Sequence, residues 1–327
     1  MADLSHLTPA QKRALLERLL RERRGGGEHG LAPLSYSQRA MWILHALAPA
    51  SAAYNTAFGA RIMGEVNAGV LAQSFQDLVD RHAALRTSFT DEGGEPRQRV
   101  EEQATVAFLA VDVRGWSPEE VARRARAEVQ RPFDLRQGPV FRVTLLVGEG
   151  ESVLLVAVHH IVFDAWSFWI LMDDLGTAYT ARSSGAAPVF APPGDYHSFI
   201  RWQQQLLGGA EGAKLWEYWR SVLAGEVPVL NLATDFPRPA IQTFNGDLVR
   251  FEVPDATVRA IATHASRSGT TLFAALLASF SALLHRYTGQ EDMIIGTPVT
   301  GRSRAEFAGI VGDFINMLAL RLRPRAE

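Results

Sequence analysis

Apolar positions follow two rhythms along this chain, and the sharpest is the nearly unbroken run Ser152-Val-Leu-Leu-Val-Ala-Val158. A run this short, made of β-branched and aliphatic residues, predicts a strand buried on both faces. Phe141–Val147 has the same character, and Gly148-Glu-Gly150 between the two predicts a hairpin. Further strands are expected over Ala57–Val66, near Arg86–Thr90 and over Val106–Val113, alternating with helices over Ala68–His82, Pro118–Gln130 and Trp166 to about Ala181. The stretches Ser183 to Pro188 and Ala191 to Gly194 are rich in Gly and Pro and predict a boundary between two lobes, 31–190 and 191–327. In the second, helices are expected at about Ser198–Leu207, Ala213–Leu223, Ala256–Ser268 and Leu272–Tyr287, with strands at Leu248–Val253, Met293–Gly296 and Phe314–Leu322.

Residues 1–30 read as a separate element. Thr8, Pro9 and Gln11 supply an N-cap, a first-turn proline and a capping-box partner, and Leu15, Leu16, Leu19 and Leu20 make one helical stripe before the Gly25-Gly-Gly27 linker. That stripe needs a cover. Either the body of the same protein or a separate, upstream polypeptide would provide it.

Composition narrows the classes. The chain has 327 residues, 47% hydrophobic and 21% charged, which suits about two globular domains. A formal net charge of −2 and the lack of a basic face argue against nucleic acid as a partner. With no Cys, thiolate catalysis and disulfides are excluded. No run reaches membrane-span length, so no membrane role and a bacterial cytoplasmic location are expected; the preference for Arg, with only Lys12 and Lys214 as lysines, reflects codon bias.

Candidate chemistry sits where the apolar run ends, in His159-His-Ile-Val-Phe-Asp164-Ala-Trp-Ser167. Two imidazoles at a strand exit are costly unless each finds a partner. On a strand they point to opposite faces, so His160 would share a face with Val158 and Val156, His159 the other with Ala157, and only one of the two could look into a given cavity. The same divergence argues against shared metal coordination, and no metal is expected. Asp164, just before a helix, reads as an N-cap. Gly296 to Ser303 mimics a P-loop with Arg302 in place of the required Lys, which argues against an NTPase. Trp166, Trp169, Trp202, Trp216 and Trp219 are expected in the core or at a lobe interface.

The His-His-x-x-x-Asp spacing resembles the signature of the condensation domains of nonribosomal peptide synthetases. Leu34-Ser-Tyr-Ser-Gln38-Arg-Ala-Met-Trp42, Arg81-His-Ala-Ala-Leu-Arg86-Thr-Ser-Phe89, Gly194-Asp-Tyr196 through Trp202, Ile295 to Arg302 and Val311-Gly-Asp-Phe-Ile-Asn316 resemble further elements of that family, in family order. Ala165 departs from the usual Gly, and the chain stops before the family's last two motifs, which implies an incomplete second lobe.

The resemblance implies an α/β fold (an α+β sandwich) of two chloramphenicol-acetyltransferase-like lobes set in a V, with a tunnel between them. It implies an acyltransferase that joins a donor acyl or peptidyl thioester to the amine of an acceptor aminoacyl thioester. Both ride on carrier proteins that supply 4'-phosphopantetheine, the chain itself binding no cofactor. His160, His159 and Asp164 form the candidate catalytic set: His160 faces the channel as base or positioning group, His159 is structural, and Asp164 braces the loop through an ion pair with Arg302 or, as second choice, Arg86. Trp166 and Ser167 support this loop, and Ala165, Ser37, Gln38 and Asn316 are expected along the channel. Two alternatives stand beside this reading: an acyl-CoA-dependent O-acyltransferase of the same superfamily, and a non-catalytic module that recruits carrier proteins or tailoring enzymes.

Overall fold

The computed structural model describes residues 30–91, 94–240, 242–244 and 246–324, so the expected N-terminal helix lies outside the described residues. The chain divides into two compact units, the first holding residues up to Gln205 together with Thr300–Ile315, the second Leu206–Val299 together with residues from Asn316 onward.

At the centre of the first unit is the expected hairpin, β6 (Phe141–Val147) against β7 (Glu151–His159), with Val147 opposite Ser152 and Phe141 opposite Val158. β2 (Asn55–Met63) pairs antiparallel with the other edge of β7, placing Asn55 opposite His159, and β5 (Ala107–Asp112) pairs parallel with β6. A parallel pair needs a long crossover. Helix α3 (Pro118–Gln130) provides it, started by a Ser117/Glu120 capping box with proline in its first turn.

Both faces of this β2-β7-β6-β5 sheet are covered, which is why its central strands are apolar at nearly every position. Val143 and Leu145 of β6, with Leu154, Val156 and Val158 of β7, pack against Phe75 and Leu78 of α2 (Ala68–Arg81) and Leu171 and Ala178 of α4 (Ala165–Ser183). On the other face Leu146 and Leu155 meet Val113, with Val121 and Ala125 of α3. A smaller antiparallel sheet orders β1 (Leu31–Pro33), β4 (Arg97–Val100) and β3 (Thr87–Thr90), and α1 (Tyr36–Leu47) follows β1 with a Ser35/Gln38 capping box.

The second unit contains α6 (Ala210–Val222), α7 (Asp255–Arg267), α8 (Leu272–Thr288) and most of a two-stranded sheet, β8 (Met293–Thr300) with β9 (Ile315–Leu322). Helix α5 (Tyr196–Gly208) runs across the division. Arg321 anchors this unit: it pairs with Asp292 at 2.6 Å and donates to the carbonyl of Ala224 at 2.7 Å.

Three expectations change. Residues 248–253 form no strand, because their alternation finds no partner ladder among the described residues, and Leu248, Val249 and Phe251 stand exposed. The strand expected over Met293–Gly296 continues to Thr300, so the glycine-flanked segment that begins there is extended backbone, in keeping with the argument against a phosphate-binding loop. Trp166, Trp169 and Trp216 are exposed and lie outside the core, whereas Trp202 packs beside Phe199 and Phe307.

Phe75 stands at the middle of the larger core. It is fully buried, with ring centroids 6.0 Å from Phe141 and 6.4 Å from Phe108. Phe75→Ala should cost about 3–5 kcal/mol in a urea titration of the chain.

Candidate functional site

β7 stops at His159, and His160–Val162 turns at once into a short 3-10 segment. Local bonds set that turn. His159 Nδ1 accepts the Ile161 N–H at 3.1 Å, the His160 N–H donates to the Tyr54 carbonyl at 2.8 Å, and the Phe163 N–H returns to the His160 carbonyl at 3.1 Å. Strand alternation therefore ends one residue before His160, which corrects the expectation that His160 shares a face with Val158. Below the turn, the buried Gln38 donates to the Ile161 carbonyl at 3.1 Å while its Oε1 accepts from Ser35 N–H and Gln98, so its side chain is a brace.

The two histidines have different surroundings. His159 is buried against His45, Tyr54 and Phe133, and burial, aided by the nearby His45 and His160, pushes its pKa down to about 3. It is a neutral acceptor at ordinary pH. The His160 side chain is 32% exposed, yet its Nδ1 is buried and lacks a hydrogen bond.

Asp164 joins the turn to α4. Its Oδ1 accepts the Ser167 N–H at 2.7 Å, the expected N-cap, and Arg302 Nη2 lies 3.0 and 3.1 Å from its two oxygens. Capping and ion pairing thus coexist, with side chains only 4% and 1% exposed for Arg302 and Asp164. Arg86 points its Nε to the Glu101 carbonyl at 2.9 Å, so it is not the partner.

Arg302 also donates to the carbonyls of Phe307 and Ile310, both at 2.7 Å, and stacks 3.8 Å over Phe314. Ser167 Oγ lies 2.7 Å from Asp164 Oδ1 and accepts the Gly312 N–H at 3.1 Å; the Phe314 N–H reaches Asp164 Oδ2 at 3.3 Å. These bonds dock residues 302–314 onto the turn that carries His160 and Asp164. Gly312 permits the approach, since a Cβ there would come within 2.3 Å of the Tyr196 ring.

The docked segment delivers a residue that sequence reasoning passed over. Asp313 is fully buried, with Oδ1 3.7 Å from His160 Nδ1, and desolvation raises its carboxyl to about 6. Its signal was an acid set between Val311-Gly312 and Phe314-Ile315.

Among the remaining expected residues, Ser37 Oγ lies 3.0 Å from Ser35 Oγ, and Asn316 belongs to β9 in the second unit. Ala165 is exposed at the start of α4, and Trp166 Nε1 donates to the Ala308 carbonyl at 2.9 Å. A cleft of about 840 Å³ in the first unit is lined by Gln38, Arg81, Arg86, Phe190, Tyr196 and Gly312 among others, but His160 is not part of its wall.

A paired His-His turn braced by a buried Asp–Arg bridge is the arrangement that the resemblance implied, and a model of the condensation domain matches residues 28–327. The chain belongs to the condensation-domain family. This condensation domain is 42% identical over 295 residues to one of the linear gramicidin synthase polypeptides of Brevibacillus parabrevis, covering 88% of this chain and 4% of that protein. It is 40% identical over 296 residues to phosphinothricin tripeptide synthetase PhsB of Streptomyces viridochromogenes, covering 89% and 25%. The chain thus spans a quarter or less of these relatives. Its fold matches the first condensation domain of the CDA synthetase with a TM-score of 0.75 at 24% identity, over 91% of this chain and 72% of that one.

The buried bridge and the buried imidazole both have measurable effects on stability. Asp164→Ala and Arg302→Ala should each destabilise this condensation domain by about 3–5 kcal/mol, because each strands a buried charge, and the loss should be strongly non-additive in a double-mutant cycle by denaturant unfolding. His159 has a folded pKa below the ordinary histidine value of 6.5. Its contribution is therefore present above that value and lost as pH falls toward 3. His159→Asn, which keeps an acceptor for the Ile161 N–H, should flatten the fall in Tm between pH 6.5 and 4.

Proposed function

We propose that this chain forms an amide bond between a donor acyl or peptidyl thioester and the amine of an acceptor aminoacyl thioester, with His160 at the reacting centre. One observation carries the reading. The partly open imidazole of His160 stands on a turn fixed from below by Gln38 and from the side by Asp164 and Arg302, while its neighbour His159 is sealed in the core.

The chemistry asks little of a base. An α-amino group has a reference pKa of about 7.7–8.0, so a useful neutral fraction exists near pH 7. That amine attacks the thioester carbonyl, a C–N bond forms, and the carbonyl oxygen takes up negative charge. The proton leaving the amine passes to His160, the C–S bond then breaks, and the departing thiolate recovers a proton. Orienting the amine and accepting its proton are roles of one imidazole, and both reduce the barrier through positioning and acid–base help.

Both thioesters are substrates carried in on 4'-phosphopantetheine by upstream and downstream carrier proteins, in the cytoplasm of a bacterium. Among the described residues no single helix is long and apolar enough to cross a membrane. In this reading residues 31–190 form the lobe that carries His160 and 191–327 belong to its companion, apart from 191–205 and Thr300–Ile315, which pack with the first unit.

The test is incubation of the chain with loaded donor and acceptor carriers, product being followed by intact-protein mass spectrometry. His160→Ala should lower the single-turnover rate by roughly 10² to 10⁴ with the melting temperature unchanged. A rate within a few-fold of the unsubstituted chain would remove His160 from the reaction; transfer from acyl-CoA to a hydroxyl would favour the O-acyltransferase alternative.

A further inference from the structure

The geometry points to Asp313 as a positioning residue that accepts the Nδ1–H of His160, fixing the imidazole in the tautomer whose Nε2 is free to take a proton. This inference rests on the reading of His160 as the group that receives the amine's proton.

Three buried polar atoms lie without hydrogen bonds at this point of the first unit, His160 Nδ1, Asp313 Oδ2 and Arg302 Nε. Buried polar atoms are seldom left so. The ring nitrogen is 3.7 Å from Asp313 Oδ1, outside hydrogen-bond distance by about half an ångström. Contacts of this kind in unliganded enzymes commonly tighten when substrate binds. A small shift of the exposed ring would close it, whereas Asp313 is held: its Oδ1 accepts the Ile315 N–H at 3.2 Å and its carbonyl accepts from the Tyr196 hydroxyl.

Architecture accounts for the backbone of Asp313 and for the Ile315 N–H on its Oδ1, but an amide oxygen would serve that bond equally, so architecture does not call for an acid. The segment is already docked through the Gly312 N–H on Ser167, the Phe314 N–H on Asp164 and the Tyr196 hydroxyl on the Asp313 carbonyl. None of these needs an acid at 313. The charged and titratable groups around the carboxyl are His160 on the 3-10 turn, Asp164 at the cap of α4, Tyr196 on α5 and Arg302 at the base of the docked segment. Arg302 is engaged by Asp164 through Nη2 and makes no ion pair with Asp313 although its Nε is unbonded, and Tyr196 spends its hydroxyl on the Asp313 carbonyl; of these groups His160, with Nδ1 at 3.7 Å, is the one placed to offer a proton to this acid. The Ser37 hydroxyl adds some stabilisation of the charged form, and burial opposes it.

The Asp313 carboxyl titrates at about 6, above its ordinary value of 3.8. Its contribution to stability is thus most favourable below pH 3.8 and is lost as pH rises through 6, so the ionised acid costs stability at neutral pH. Contact with the Nδ1–H of His160 is what an anion there would gain. The arrangement repeats the logic of carboxylate–imidazole pairs in which the acid orients the ring and does not itself carry the proton away.

The test uses the whole chain, labelled with ¹⁵N-histidine, and the variants Asp313→Asn and His160→Ala. In the unsubstituted chain the His160 ring at pH 8 should be the Nδ1–H tautomer. Asp313→Asn should raise Tm at pH 8 relative to the unsubstituted chain but not at pH 4, shift the tautomer toward Nε2–H, and lower kcat with loaded carriers by roughly tenfold or more with KM for the acceptor carrier unchanged. An Nε2–H tautomer in the unsubstituted chain would overturn the assignment even if the variant failed to fold. Unchanged tautomer and unchanged pH–rate profile in Asp313→Asn, with His160→Ala inactive, would overturn it while leaving the proposed function intact. Full activity in His160→Ala would remove both.

Discussion

A guanidinium that is almost completely buried needs acceptors, and Arg302 finds them for its two terminal nitrogens in near and distant parts of the sequence, while its Nε is left unbonded. It takes Asp164, 138 residues away, and the carbonyls of Phe307 and Ile310 from its own segment. The cost of desolvating two ions is large, so the arrangement holds only if every partner stays in place. That condition docks residues 302–314 on the first unit and brings Asp313 beside His160. Helix capping and ion pairing share the Asp164 carboxylate, and the segment that it docks carries Asp313 to the imidazole.

Desolvation also sorts the two histidines. They are adjacent in sequence, yet one is packed among aromatic rings and the other is a third exposed. His159 uses its ring nitrogen to turn the chain out of the strand, and that turn, more than strand alternation, determines where His160 goes. A neutral, buried His159 close to His160 also avoids placing two positive charges side by side.

Much of the central sheet was legible in the residue pattern. The bounds of β6 and α3 agree with expectation because a mostly apolar run closed by Gly148 and a proline-started, capped helix are strong local signals. The pair β1 and β4 and helix α1 were not anticipated: β1 is three residues long, and the Ser35/Gln38 capping box was first read only as part of a family element. At 248–253 alternation misled, since a pattern of period two makes a strand only where a second chain segment supplies the ladder. The Asp164–Arg302 bridge came from family resemblance and not from spacing, because no local rule links residues so far apart. Asp313 escaped because its significance depends on where the docked segment puts it.

If the bridge governs the site, the 302–314 segment and the His160–Asp164 turn behave as one body. Native-state hydrogen exchange on the unsubstituted chain tests this. The amides of Ser167, Gly312 and Phe314 donate to Asp164, Ser167 and Asp164 in turn. If these bonds form a single cooperative unit, the three should open with one common free energy. Markedly different opening energies, with Gly312 and Phe314 exchanging freely while Ser167 remains protected, would contradict the claim.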